Sequence, residues 1–257
     1  MDHEDEYHGA MVEMLELVWG AGYMAPGGPG SVSKMLSDME TRGRTILDIG
    51  CGIGGPAQEM AMTHGAHVTG IDLESALLER ARSDAEDAGL TKQCRFIRVQ
   101  PGTLPFDDGT FDIVVSAGAM TQTEDKINML SEIHRVLRPG GWLSLYDWMK
   151  SDGDYSAEML YWFNMEGLTY AMVTIEEQEA LLESAGFESV DSDDATHWYR
   201  RQSRIEYEQI RGELYQTLVE SLGQESADHF VENWRAMIVV IEHGEMKQVY
   251  SRGRKPR

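Results

Sequence analysis

Between residues 45 and 148 short apolar runs alternate with helical patterns, and that alternation narrows the possible folds more than any other feature of the chain. The runs cover 45–49, 67–72, 95–99, 111–116 and 142–148, and the helical patterns cover 56–64, 75–88 and 125–137. Strands joined through helices pair in parallel, because a parallel pair needs a long crossover. Runs such as Ile46-Leu47 and Ile113-Val114-Val115 are apolar without alternation, as strands buried on both faces are. Two more runs, 187–190 and 247–252, bring the count to seven. The pattern predicts an α/β fold, a seven-stranded Rossmann-like sheet with helices on both faces.

The first of these strands ends in Ile46-Leu47-Asp48-Ile49-Gly50-Cys51-Gly52-Ile53-Gly54-Gly55-Pro56. Glycine lets the backbone turn tightly and approach a ligand with no Cβ in the way. Pro56 suits a helix first turn, where a missing N–H costs nothing. An acid precedes the glycines and a second acid, Asp72, ends the second strand. An acid there can take both hydroxyls of a ribose. A nucleoside-containing ligand is therefore expected; a purely structural turn is the alternative.

Outside this core, Met11, Met14, Leu15, Val18 and Trp19 fit a helix within residues 1–20. Gly20-Ala21-Gly22-Tyr23-Met24-Ala25-Pro26-Gly27-Gly28 is too rich in Gly and Pro for regular structure. Its Tyr23 and Met24 suit a loop that folds over a site better than a linker. Residues 1–40 are read as an N-terminal lid on a domain spanning 41–257. Aromatic 155–172 and two expected helices, 202–221 and 225–242, form a helical cap over about 151–172 and 195–243.

Acids outnumber bases 44 to 22, a net charge of −22. Such a surface repels nucleic acid and anionic membrane, so neither is an expected partner. No run nears the ~18 to 20 apolar residues of a membrane span. The start, Met1-Asp2-His3-Glu4-Asp5-Glu6, is the opposite of a secretory leader, so a cytoplasmic location is expected. Cys51 and Cys94 make no disulfide framework, and no Cys/His set has metal-ligand spacing.

Four motifs together carry a resemblance. Asp48 to Gly54, Gly70-Ile71-Asp72, Leu104-Pro105-Phe106 followed by Phe111-Asp112, and Val136-Leu137-Arg138-Pro139-Gly140-Gly141 resemble the class I S-adenosylmethionine-dependent methyltransferases. The resemblance implies a seven-stranded sheet with an antiparallel last strand and S-adenosylmethionine as cofactor. It implies that Gly50, Cys51 and Gly52 lie against the methionine part, with Asp48 organising the loop and the amino group. Asp72 would hold the ribose, Leu73 would flank the adenine, and Ser116 and Ala117 would back the reacting methyl. Gln100 stands where the family often has an Asp for the adenine amino group; its amide oxygen can accept the same bond.

The lid loop and the closing run Tyr250-Ser251-Arg252-Gly253-Arg254-Lys255 resemble the phosphoethanolamine N-methyltransferases and related betaine-forming enzymes. That resemblance gives Tyr23 the part of covering the cofactor. The phosphoethanolamine enzymes use a Tyr–His dyad; Gln122 stands where the His would be and Leu15 near the Tyr. Neither can act as a base, so a different acceptor is expected, with Gln122 and Tyr23 as the catalytic candidates. Trp148, Tyr170 and Trp198 offer faces for an alkylated ammonium, and Arg200 and Arg235 are candidates for a substrate carboxylate or phosphate. For most of the aromatics core packing is the simpler reading, and for the arginines surface ion pairing is. The expected activity is N-methylation of a small polar amine such as sarcosine, dimethylglycine or phosphoethanolamine. An O-, S- or lipid-amine acceptor is the alternative, and a non-catalytic cofactor-binding protein is a remote one.

Overall fold

The computed structural model describes residues 9–168 and 170–257. Helix α1 is Gly9–Trp19; the acidic start Met1 to Glu6, which carries the reading of location, lies outside the described residues. The lid loop leads into α2 (Gly28–Met35), then β1 (Thr45–Ile49), α3 (Gly55–Met62), β2 (His67–Asp72), α4 (Ser75–Asp87) and β3 (Cys94–Arg98). Strand β4 (Phe111–Ala117) runs into a single 3₁₀ turn, Met120–Gln122, followed by α5 (Lys126–Val136) and β5 (Leu137–Lys150). The remainder is α6 (Ala157–Glu166), α7 (Ile175–Ser184), β6 (Glu188–Asp194), α8 (Thr196–Arg211), α9 (Tyr215–Leu222), α10 (Gln224–Glu242) and β7 (Met246–Arg254).

The seven strands form one sheet in the order β3-β2-β1-β4-β5-β7-β6. Strands β1 to β5 are parallel, and β7 runs antiparallel to both of its neighbours. The order reverses between β1 and β4, and the crevice beyond the carboxyl ends of such strands is where open α/β sheets bind ligands. In that register Asp48 lies opposite Gly70 and Val115. Helices α3 and α4 bury Met60, Leu78 and Ala81 on one face of the sheet; α5 and α7 bury Leu130, Ile133 and Leu182 on the other. A separate core of Met159, Trp162, Tyr199, Phe230, Trp234 and Met237 holds the cap to α1.

The cap differs from expectation in three places. The aromatic stretch 155–172 is helical only to Glu166, because Gly167 takes a left-handed φ of 73° and closes α6. The expected helix 202–221 is two helices, broken at Gly212, so the cap segment holds three helices and not two. Its first helix also starts earlier, at Thr196, where Asp194 Oδ1 accepts the Thr196 N–H at 2.8 Å. In the sheet, Leu137 pairs with Phe111 and opens β5 in place of ending the preceding helix. Among the described residues, no helix is long and apolar enough to cross a membrane.

Candidate active site

The site begins at the turn after β1. Gly50, Gly52 and Gly54 all have positive φ. A Cβ on Gly50 would stand 2.4 Å from the Ala119 Cβ, and one on Gly52 would stand 3.0 Å from the Met24 sulfur. The turn is therefore pressed between the end of β4 and the lid, with no room for side chains. Asp72 fixes it from the neighbouring strand: its Oδ2 accepts the Gly52 N–H at 2.8 Å and its Oδ1 the Glu74 N–H at 3.0 Å. Each of these oxygens keeps a second lone pair for a ligand hydroxyl.

Asp48 is 2% exposed, and its Oδ2 has no hydrogen-bond partner among the described residues. Burial, reinforced by the charge of Asp72, pushes its carboxyl up to about 7. Burial likewise raises Asp72 and, with the two acids nearby, the Cys51 thiol. An orphaned buried carboxylate oxygen beside a glycine turn suits a cationic, hydrogen-bonding ligand group.

The turn opens into a cavity of about 1200 Å³, larger than the ~300–1,000 Å³ of ordinary small-molecule sites. Asp48, Gly50, Cys51, Gly52, Asp72, Leu73 and Gln100 line it at one end. Tyr23, Ala117 and Gln122 line it in the middle, and Trp148 and Tyr170 at the cap. Four expected residues lie outside its lining. Ser116 is fully buried and donates its hydroxyl to the Ile49 carbonyl at 2.9 Å, tying β4 to β1. Trp198 packs against Tyr199 and close to Gly27. Arg200 gives its Nε–H to the Ile241 carbonyl at 3.0 Å. Arg235 pairs with Glu232 at 2.6 Å, so its guanidinium is already spent.

The loop carrying Tyr23 meets the glycine turn through backbone. The Gly55 N–H donates to the Gly22 carbonyl at 3.1 Å, and Glu16 accepts the Gly22 N–H at 2.7 Å. Tyr23 is 6% exposed, and burial together with Glu59 pushes its phenol well above the ordinary range. The phenol therefore stays protonated: it can donate a hydrogen bond but does not act as a base.

The 3₁₀ turn carrying Gln122 is anchored from β5. Asp147, 3% exposed, accepts the Thr121 N–H at 2.9 Å and the Thr121 hydroxyl. Behind it Lys126 donates to the Met120 and Thr123 carbonyls. The Ala171 N–H donates to the Thr121 carbonyl at 2.8 Å, which binds the loop after α6 to the same turn.

Sequence reasoning missed Trp19, Tyr146, Glu166, Asn233 and Trp234, all in the cavity wall. Trp19 and Trp234 pack with centroids 5.5 Å apart and ring planes tilted by 46°. Asn233 joins two groups, accepting from Trp162 Nε1 at 3.0 Å and donating to Glu166 at 2.6 Å.

With this geometry known, comparison with other proteins is informative. The family described as "Methyltransferase domain" matches residues 46–141. A phosphoethanolamine N-methyltransferase from Triticum aestivum is 28% identical over 90% of this chain and 45% of its own length. A sterol 24-C-methyltransferase from Gibberella zeae is 34% identical over 61% of this chain and 44% of its own. Phosphoethanolamine N-methyltransferase 2 of Haemonchus contortus, solved with S-adenosylhomocysteine and phosphomonomethylethanolamine, superposes with TM-score 0.90 at 23% identity, covering 98% of this chain and 59% of that one. A putative sarcosine dimethylglycine methyltransferase from Galdieria sulphuraria gives 0.83 at 16% identity, covering 96% and 97%.

Residues 46–141 thus match a methyltransferase domain, and the sheet order and these superpositions give the chain the fold of solved S-adenosylmethionine-dependent methyltransferases. The chain is similar to phosphoethanolamine N-methyltransferases and to a putative sarcosine dimethylglycine methyltransferase. The chain spans about half the length of the curated relatives it matches.

Proposed function

We propose that the protein transfers a methyl group from S-adenosylmethionine to the nitrogen of a small-molecule amine. The observation that carries this is the buried, unpartnered Asp48 Oδ2 beside a glycine turn, opening into a cavity with room for cofactor and acceptor together. When bound, the cofactor supplies an electrophilic methyl on a sulfonium. Asp48 and Asp72 would hold its amino and ribose groups, and Tyr23 would cover it.

Nitrogen is favoured because neither catalytic candidate, Gln122 or Tyr23, is a base. Gln122 has no basic group, and Tyr23 keeps its proton. The one histidine among the described lining residues, His229, has its Nε2 2.9 Å from the Met165 carbonyl. An amine with a free lone pair needs placement more than proton removal; an unactivated alcohol needs both. Sarcosine, dimethylglycine and phosphoethanolamine are amines of this kind, and the last appears in the relatives' names.

A second reading is methylation of carbon in an apolar acceptor, favoured by the match to a sterol 24-C-methyltransferase and by Met11, Met14 and Leu15 in the cavity wall. Incubating the protein with methyl-labelled cofactor and a panel of amines, alcohols and sterols, then locating the label by product mass, separates the two. Cofactor binding with no labelled amine would overturn the nitrogen reading.

A further inference from the structure

The charges around the cavity are lopsided. Among the described residues its wall includes seven carboxylates and no lysine or arginine. Its one described histidine, His229, has Nε2 2.9 Å from the Met165 carbonyl, and the cations that the sequence offered for a substrate anion are engaged outside the wall. Lys126 is turned to the Met120 and Thr123 carbonyls, Arg200 to the Ile241 carbonyl and Arg235 to Glu232. Two of the carboxylates, Asp48 and Asp72, belong to the cofactor end. At the cap end Glu166 stands beside Tyr170, within an aromatic cluster where Trp162 stacks on Tyr170 at 5.0 Å and Trp148 lies 6.1 Å from Tyr170. Asn233 donates to Glu166 at 2.6 Å and the Tyr170 side chain also hydrogen-bonds it, so the carboxylate is held in place. The same loop is tied to Thr121, next to Gln122, by the Ala171 N–H.

From this we infer that the acceptor is an organic amine with no phosphate or carboxylate of its own, recognised by Glu166 as counter-ion and by the faces of Trp148 and Tyr170. This rests on the methyl-transfer reading and departs from the acceptors named by the relatives. An acceptor phosphate would enter a wall that, among the described residues, has seven carboxylates and no lysine or arginine to meet it, and burying an unpaired charge is costly. An amine meets the opposite situation, since ammonium groups are attracted to aromatic faces and to a desolvated carboxylate. The bound ammonium first gives up a proton to solvent; the freed lone pair then becomes the new N–C bond and the C–S electrons stay on sulfur. The positive charge thus passes from sulfur to nitrogen, and a fixed carboxylate at the nitrogen end favours that movement.

The test is calorimetric titration of the protein saturated with S-adenosylhomocysteine, using matched pairs: phenethylamine against phenylalanine, and ethanolamine against phosphoethanolamine. The expected result is that phenethylamine binds at least tenfold more tightly than phenylalanine, and that phosphoethanolamine binds no better than ethanolamine. Glu166→Gln should weaken phenethylamine about tenfold and leave S-adenosylhomocysteine affinity unchanged. Should Glu166→Gln fail to bind S-adenosylhomocysteine, Tyr170→Leu takes its place, with the same expected loss. Tighter binding of the anionic member of either pair overturns the inference. So does an absence of phenethylamine binding, or a variant that binds phenethylamine unchanged. Failure of the wild-type protein to bind S-adenosylhomocysteine would instead overturn the methyltransferase reading.

Discussion

Asp48 and Asp72 end adjacent parallel strands and act on each other across the glycine turn: the charge of Asp72, added to burial, helps hold the Asp48 carboxyl near 7. In the free protein near neutral pH, Asp48 is therefore partly protonated. A cationic cofactor group arriving beside it favours the carboxylate and expels that proton.

Cofactor affinity should consequently rise with pH below 7, by up to about tenfold per unit while Asp48 is protonated, and level off above. Titrating S-adenosylmethionine at pH 5.5 and 7 in two buffers of different ionisation enthalpy reads both the affinity and the proton released. Asp48→Asn should flatten the profile and lower affinity at pH 7. Equal affinity at the two pH values in the unaltered protein would remove Asp48 from this role.

Stability of the ligand-free protein should run the other way. Asp48, Asp147 and Glu206 are all buried, and burial lifts them to about 7, about 6 and about 7. Their folded values lie above the unfolded ones of ~4, so the native state binds more protons across roughly pH 4 to 7. Their contribution is present at low pH and is lost as pH rises through that window, by on the order of a few kcal/mol. The urea midpoint should be lower at pH 8 than at pH 5.5. Glu206 accepts from Trp234 Nε1 at 3.3 Å and leaves its Oε1 unpartnered among the described residues. Glu206→Gln should raise the unfolding free energy at pH 8 by ~1–3 kcal/mol and change it little at pH 5.5.

Gly55 is the hinge point between turn and lid. A Cβ there would lie 2.1 Å from the Gly22 carbonyl oxygen, which is backbone and cannot swing aside. Gly55→Ala should push the Tyr23 loop off the site and weaken cofactor binding tenfold or more. The cost to global stability should stay near ~1–3 kcal/mol, the usual range for a single substitution. Binding isotherms and a thermal melt on the same sample compare the two; unchanged affinity would show that the lid contact is dispensable.

What could be read from the sequence was local. The central sheet was legible because β1 and β4 carry continuous apolar runs, Ile46-Leu47 and Ile113-Val114-Val115, and crossovers are punctuated by glycine, as at Gly65 and Gly89. The glycine-turn part of the cavity was legible because Asp48, the glycines and Asp72 lie within 25 residues of one another. The cap wall was not, because it is made by distant partners. Trp19 of α1 meets Trp234 of α10, and Glu166 of α6 meets Asn233 of α10. No spacing in the chain announces such pairs. Arg200 and Arg235 could not be placed from sequence for the complementary reason: an arginine cluster in sequence says nothing about whether Glu232 or a backbone carbonyl already occupies it.

Gln122 tests where the acceptor sits. It ends a turn whose neighbour Thr121 is clamped by Asp147 and by Ala171, so its backbone is fixed from both the sheet and the cap. Its side chain lines the cavity between Ala117 at the end of β4 and the Trp148–Tyr170 wall. If the acceptor nitrogen is held there, Gln122→Ala removes a hydrogen-bonding group next to the reacting centre without touching the glycine turn. Turnover should fall by about 10- to 100-fold, the effect of losing one positioned hydrogen bond or more, while cofactor affinity changes by less than twofold. Asp147→Asn acts one step back. It weakens the clamp on Thr121 and leaves Lys126 without the opposing charge, so it should lower both turnover and thermal stability. Steady-state rates with a saturating amine, set beside S-adenosylhomocysteine affinities, distinguish the two variants. If Gln122→Ala turns over normally, the acceptor approaches from the Trp19–Trp234 side of the cavity and not along the end of β4.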